Sequence, residues 1–263
     1  MSRKHGRDIS VFEESFLRNS VERRSDLLGV KQSEYLRYVE ENREEAENFY
    51  HSLNITFTQF FRNSLTFALL EQYIIPRLIN KKANRGAIRI WSAGCSCGQE
   101  PYSLAILLSE LISAQEQAVT YRILATDSSQ QALSIAKEGI YDKTGVNNVK
   151  VQFLEKYFTR KDEMYAVSSQ IKQQITFSYY DLLDPFSNNP PESIYGDFDL
   201  VICSNLLFYY KPEIQQLIID KLQKSLSYIG YLVTGEAETA LIQKTSKLKM
   251  VQMPSTIFTN YSY

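Results

Sequence analysis

The chain predicts an α/β fold, a mainly parallel sheet covered by helices, behind an all-helical N-terminal segment. Three observations carry this. An apolar strand over Ile88, Ile90 and Trp91 breaks into small residues and then into a helix. Strand and helix patterns alternate from Ile88 onward, and only helical periodicity is seen over 10–80.

The elements follow in order. Val11, Phe12, Phe16 and Leu17 put an apolar stripe on a first helix that also carries Arg18, Arg23 and Arg24. Ser33 is placed to cap a second helix, from Glu34 to about Leu53, dense in glutamate and arginine. A third runs from Ser64 to Ile79, with Phe67, Leu70 and Ile74 on one side and Pro76 expected to bend or end it. The polar run Lys81 to Gly86 reads as a domain boundary. After the strand–loop–helix at 88–103, Tyr121 to Thr126 forms a strand ending in Asp127, and a helix covers Ser128 to Lys137 with Gly139 just past its end. Asp199 to Cys203 is a buried strand. Pro212 and Glu213 open a helix that Gly230 ends, and Tyr231 to Thr234 is a last strand. Residues 141–178 fit the alternation less well. Tyr165 to Val167 and Ile175 to Tyr179 read as strands around a charged tip, Arg160 to Glu163, in a small antiparallel insertion.

The loop Ser92-Ala93-Gly94-Cys95-Ser96-Cys97-Gly98 lets a ligand approach the backbone and the helix N-terminus behind it. It has neither the lysine of a phosphate loop nor the spacing of a dinucleotide fingerprint. Glu100 stands where a phosphate would need positive charge, which suits a ligand with a cationic end, such as the amino and sulfonium groups of S-adenosylmethionine. An ordinary strand-to-helix turn is the plainer alternative. Asp127 is suited either to the hydroxyls of a ribose or to capping a helix. Asp181 is suited to an adenine amino group or to a turn. Asn205 follows a strand at the expected ligand edge, and Tyr209 and Tyr210 just beyond it read more readily as core. Arg62, behind Phe60 and Phe61, reads first as a surface arginine.

Composition narrows the classes. A 44% hydrophobic content fills a core, and a net charge of −1 gives no broad case for nucleic acid or membrane binding. No apolar run approaches a transmembrane length, and the basic start lacks the apolar stretch of a secretory signal. Three cysteines, Cys95, Cys97 and Cys203, read as reduced thiols of a cytoplasmic protein, and no metal site is expected.

Five segments in order resemble the CheR-type chemotaxis receptor glutamate methyltransferases: Thr58-Gln59-Phe60-Phe61-Arg62, the run Ile90 to Ser103, Ile123 to Asp127, Asp181-Leu182-Leu183, and Phe198 to Asn205 running to Tyr209. The resemblance spans roughly 12–240, and the run W-S-A-G-C-S with G-x-E-P-Y-S is its most specific part. It implies a class I S-adenosylmethionine-dependent methyltransferase domain, Rossmann-like, with a small all-α N-terminal domain at 1–80, the methyltransferase domain at 81–263 and a β insertion at about 141–178. It implies that Arg62 and Glu100 hold the amino acid end of S-adenosyl-L-methionine, and that Thr58, Ala93 and Gly94 line its pocket. Asp127 takes the ribose, Asp181, Leu182, Asn205 and Leu206 lie near the adenine, and Tyr209 faces the methyl group. Arg18 and Arg23 face the substrate, the cytoplasmic helices of chemotaxis receptors. The chain departs from the family pattern at Thr56 (usually Asn), Cys97 (Thr), Gln99 (Glu), Asp181 (Asn) and Ser204 (Arg). The insertion tip, Thr159 to Met164, lacks glycines, so recognition independent of a receptor C-terminal pentapeptide is expected. Another acceptor on the same fold, or a non-catalytic scaffold that binds donor or receptor, are the alternatives.

Overall fold

The computed structural model describes residues 8–53, 58–83, 86–114, 118–252 and 254–261. The departure at Thr56 lies outside the described residues. The chain divides into two compact units, 1–55 with 206–216, and 56–205 with 217–263.

The helical unit holds α1 (Glu14–Leu28), α2 (Gln32–Glu41) and α3 (Arg43–Ser52). The single helix expected from Glu34 to Leu53 is two. Asn42 leaves the helical region at φ −117° and ψ 105°, and its side chain accepts the backbone N–H of Glu45. That cap competes directly with helix continuation. Lys31, not Ser33, precedes the first turn of α2. Phe12, Tyr35, Val39, Ala46, Phe49 and Leu53 form the core, with Tyr209 and Tyr210 packed on it. Arg24 donates to both carboxylate oxygens of Glu45 (3.0 and 2.5 Å), and the Tyr35 hydroxyl donates to the same carboxylate at 2.6 Å. Glu45 is 4% exposed, so these partners are what make its burial tolerable.

The sheet unit begins with α4 (Ser64–Leu69), a π-helical turn at Leu70–Ile74, and α5 (Ile75–Lys82). Pro76 does not end this run. The π turn carries the Ile75 N–H back to the Leu70 carbonyl and leaves the proline in the first turn of α5, where a missing N–H is harmless. The domain boundary expected near residue 80 lies instead near 55, because this run packs on the sheet. Leu70, Ile74, Ile75, Leu78 and Ile79 all belong to the main core, each worth about 1.5–3 kcal/mol of burial.

Among the described residues the main sheet has seven strands. They are β1 (Ala87–Ala93), β2 (Thr120–Asp127), β6 (Ile175–Tyr179), β7 (Phe198–Cys203), β8 (Leu226–Thr234), β9 (Lys249–Met250) and β10 (Ile257–Thr259), in the order β6-β2-β1-β7-β8-β10-β9. The five strands from β6 to β8 run parallel, and β10 and β9 add antiparallel pairs. β7 is buried throughout, as a parallel strand covered on both faces must be. Gly230 lies inside β8, so the turn between helix and strand comes before it rather than at it.

α6 (Gln99–Ala114) and α7 (Gln130–Glu138) follow β1 and β2. Between α7 and β6 sits the insertion: β3 (Ile140–Asp142), α8 (Val151–Tyr157), β4 (Phe158–Lys161), β5 (Met164–Val167) and α9 (Ser169–Lys172). β3, β5 and β4 make an antiparallel sheet. Ile175 to Tyr179 is not part of it, contrary to expectation. That segment pairs in parallel with β2 at the edge of the main sheet. α10 (Pro212–Ser225) and α11 (Thr239–Thr245) complete the helices.

Candidate active site

The end of β1 builds the site. Gly94 turns the chain at φ 75°, and the N–H groups of Gly94 and Cys95 both donate to the Thr126 carbonyl (2.8 and 2.9 Å). The loop is thereby tied to the neighbouring strand end. Gly98 closes it at φ 91°. A Cβ there would meet the Ala136 Cβ at 2.9 Å, so only glycine lets α7 come this close.

Asp127, at the end of β2, lies against this loop. Its Oδ2 accepts the Ser96 N–H and its Oδ1 the Ser129 N–H, both at 2.8 Å. It is not the N-cap of α7, because Ser129 caps that helix through the Ala132 N–H. Burial raises its pKa, and the backbone donors at Ser129, Ser96 and Ser128 oppose that rise. Each oxygen keeps lone-pair capacity for a further donor.

Glu100 is recessed but not sealed, in the first turn of α6. The Ser92 hydroxyl donates to its Oε1 at 2.7 Å. Burial pushes its pKa up to about 7, with Glu238 adding to the rise, while the hydroxyls of Ser92 and Ser204 and the positive charge of Arg62 lower it. Ser204 thus bonds to the carboxylate around which the site is built. The Ser96 Oγ and Gln99 Oε1 are buried with no hydrogen-bond partner among the described residues.

Arg62 is held by an unusual backbone. Phe61 and Asn63 on either side have φ 50° and 64°. Phe60 is fully buried, the Phe61 N–H donates to Ser103 Oγ at 2.9 Å, and the Asn63 side chain caps α4 at Thr66. Thr58 is half-buried in irregular chain just before.

Ala93 is buried at the end of β1. Asp181 follows β6. Its Oδ1 accepts the Leu183 N–H at 2.9 Å, the turn role, and Leu182 beside it is buried. Asn205, after β7, adopts φ 60°. The structure therefore gathers Arg62, Ala93, Gly94, Glu100 and Asp127 at the β1 and β2 ends, with Asn205 at the end of β7 and Asp181 after β6, all in the sheet unit.

Leu206, Tyr209, Arg18 and Arg23 belong to the helical unit. Tyr209 ends a 3-10 turn, Leu207–Tyr209, accepts the Glu13 N–H at 2.9 Å and packs on Phe16 with ring centroids 4.8 Å apart. Arg18 and Arg23 are exposed on α1. Sequence reasoning missed Glu238, a carboxylate 1% exposed in the turn after β8. One of its partners, the Gly235 N–H, is local, but the other, the Asn205 N–H, is remote in sequence, so no local pattern showed the tie.

The thiols of Cys95, Cys97 and Cys203 are buried, free and raised in pKa by that burial, so none is a ready nucleophile. Among the described residues no group of three or more His, Cys, Asp or Glu is arranged to hold a metal ion, and no helix is long and apolar enough to cross a membrane.

Residues 56–257 match the family model described as CheR methyltransferase, SAM binding domain. The chain is 32% identical over 246 residues to the chemotaxis protein methyltransferase of Borreliella burgdorferi, covering 89% of this chain and 83% of that one. It is 36% identical over 200 residues to chemotaxis protein methyltransferase 1 of Pseudomonas aeruginosa, covering 74% and 70%. An uncharacterized 104.1 kDa protein of Rhodobacter capsulatus is 32% identical over 227 residues, 85% of this chain and 23% of that longer protein.

Proposed function

The chain belongs to the CheR family of S-adenosylmethionine-dependent methyltransferases, and from that premise we propose that it esterifies glutamate side chains on the cytoplasmic helices of chemotaxis receptors. The observation that carries this reading is the recessed Glu100, in the first turn of the helix behind the glycine loop, which feels the positive charge of Arg62.

The residues present fit the donor. A zwitterionic amino acid end needs one anion and one cation, and Glu100 and Arg62 supply them. A ribose needs an acceptor at the second strand end, and Asp127 retains capacity there. Buried Ser96 Oγ and Gln99 Oε1 offer further polar partners. Asp181 offers its second oxygen to an adenine amino group. When bound, S-adenosylmethionine supplies a methyl group on a positively charged sulfur.

The acceptor carboxylate is ionised at neutral pH, with a reference pKa of about 4.3, so no residue of this chain need act as base. What the chain contributes is placement. Arg62 and Tyr209 would orient the reactants rather than transfer protons, since reaction between bound partners is favoured by their placement. Charge is lost as the ester forms, so exclusion of water favours the reaction. Arg18 and Arg23 offer an exposed basic pair to an acidic receptor surface. Action in the cytoplasm follows from such a substrate.

The test is transfer of labelled methyl to receptor cytoplasmic helices, followed by release of volatile methanol in alkali. Arg62→Ala is expected to lower kcat/KM by about 100-fold, the scale of losing one positioned charge. Label that resists alkali overturns the ester assignment.

A further inference from the structure

Glu238 is a buried carboxylate to which the reaction assigns nothing. Its Oε2 accepts two backbone N–H groups, from Gly235 at 2.7 Å and from Asn205 at 3.0 Å. One oxygen thus ties the turn after β8 to the turn after β7. Asn205 adopts φ 60°, a left-handed conformation that asparagine accepts more readily than most residues with a Cβ, and the bond from its N–H fixes it there. The fit is tight on the other side too. A Cβ on Gly235 would meet the Asn205 Nδ2 at 2.8 Å and the Glu238 Oε2 at 2.9 Å.

The same carboxylate faces Glu100 with a like charge. The other groups facing Glu100 are Arg62 from the turn before α4, the Ser92 hydroxyl on β1 and the Ser204 hydroxyl after β7. The Cys203 thiol feels both carboxylates and stays neutral through burial, as does the Cys95 thiol, which feels Glu100.

We propose that Glu238 is a positioning residue for the methyl-donor pocket, clamping Asn205 in its left-handed turn with a carboxylate that faces Glu100. This rests on the donor-binding reading above. Glu238 acts through the two residues it organises and touches no reacting atom.

The experiment compares full-length wild type, Glu238→Gln and Glu238→Ala by calorimetric titration with S-adenosylhomocysteine between pH 6 and 8. Glutamine keeps an oxygen that accepts both N–H groups and loses the charge. At pH 7.5 its affinity is expected within about threefold of wild type, and the pH at which binding is half lost moves down by about half a unit as the like charge disappears. Alanine leaves the buried Gly235 N–H and the part-buried Asn205 N–H unpaired, with affinity about tenfold weaker and, in turnover, the loss in KM for the donor with kcat nearly unchanged. An unshifted pH profile for Glu238→Gln overturns the proposal, and so does wild-type affinity in folded Glu238→Ala. If the alanine variant does not fold, the glutamine profile decides alone. Wild type that fails to bind S-adenosylhomocysteine at all overturns the donor-binding reading instead, so the two failures are distinguishable.

Discussion

In the sheet unit Arg62 sits between two residues with left-handed backbone, Phe61 and Asn63, whereas in the helical unit Arg24 rises from the regular helix α1 and is fixed by the side chains of Glu45 and Tyr35. The first arginine is placed by bending the chain. The second is placed by partners that come to it. A left-handed phenylalanine costs on the order of 1 kcal/mol, and it persists because the burial of Phe60 and the bond to Ser103 fix the turn from outside. The turn holds Arg62 through backbone geometry, while the Arg24–Glu45–Tyr35 triad satisfies a buried charge. Two arginines of one chain are thus held in two different ways, one by its backbone neighbours and one by side-chain partners.

The comparison is broken most sharply by Arg24→Ala. It leaves Glu45 buried with only Tyr35 and Asn42-capped backbone near it, and is expected to cost about 3 kcal/mol in urea unfolding, roughly 150-fold in the folding equilibrium. Arg62→Ala, in the same assay, is expected to change stability by under about 1 kcal/mol. Equal losses of stability in the two variants would erase the distinction. Asp127→Ala is expected to weaken S-adenosylhomocysteine binding by about 30-fold, since it removes the acceptor and releases the Ser96 end of the loop.

The next effect is in pH. Glu100 has a pKa of about 7 in the free protein, and its ionised form is the one that attracts a cationic amino group. Affinity therefore rises with pH, and it is expected to fall by about tenfold from pH 8 to pH 6 as the carboxyl protonates. Glu100→Gln should flatten that profile. The sign for stability is opposite. A carboxyl whose folded pKa is raised favours the folded state at low pH, and this contribution is lost as pH rises from about 4.5 to about 7. Smallest of all, Arg18→Ala with Arg23→Ala should raise KM for receptor about threefold and leave donor binding unchanged, because exposed charges act weakly through water. A change in donor affinity would count against a substrate-facing role.

The glycine loop was legible in the sequence because its chemistry admits few residues. Close approach to Ala136 demands a glycine at Gly98, and a carboxylate in the first helical turn stands out against that background. Ile175 to Tyr179 could not be assigned to the right sheet from its pattern. Strand periodicity says that a segment pairs, and only the packing of β2 beside it says with what. The boundary near 55 was hidden for the same reason, as the polar run after α5 looks like a linker until α5 is seen on the core. The tie made by Glu238 was invisible because only one of its partners, Gly235, is local, and the other, Asn205, lies 33 residues away.

The three cysteines turn the fold into its own reporter. Two of them flank Ser96 in the loop that meets Asp127, and the third ends β7. Burial lowers the reactivity of all three thiols, so an alkylating reagent reaches them when the chain around the ends of β1 and β7 opens. The rate of thiol modification is then a clock for breathing of the donor pocket. A bound donor should slow it at Cys95 and Cys97 first, residue by residue, without any label having been engineered into the protein.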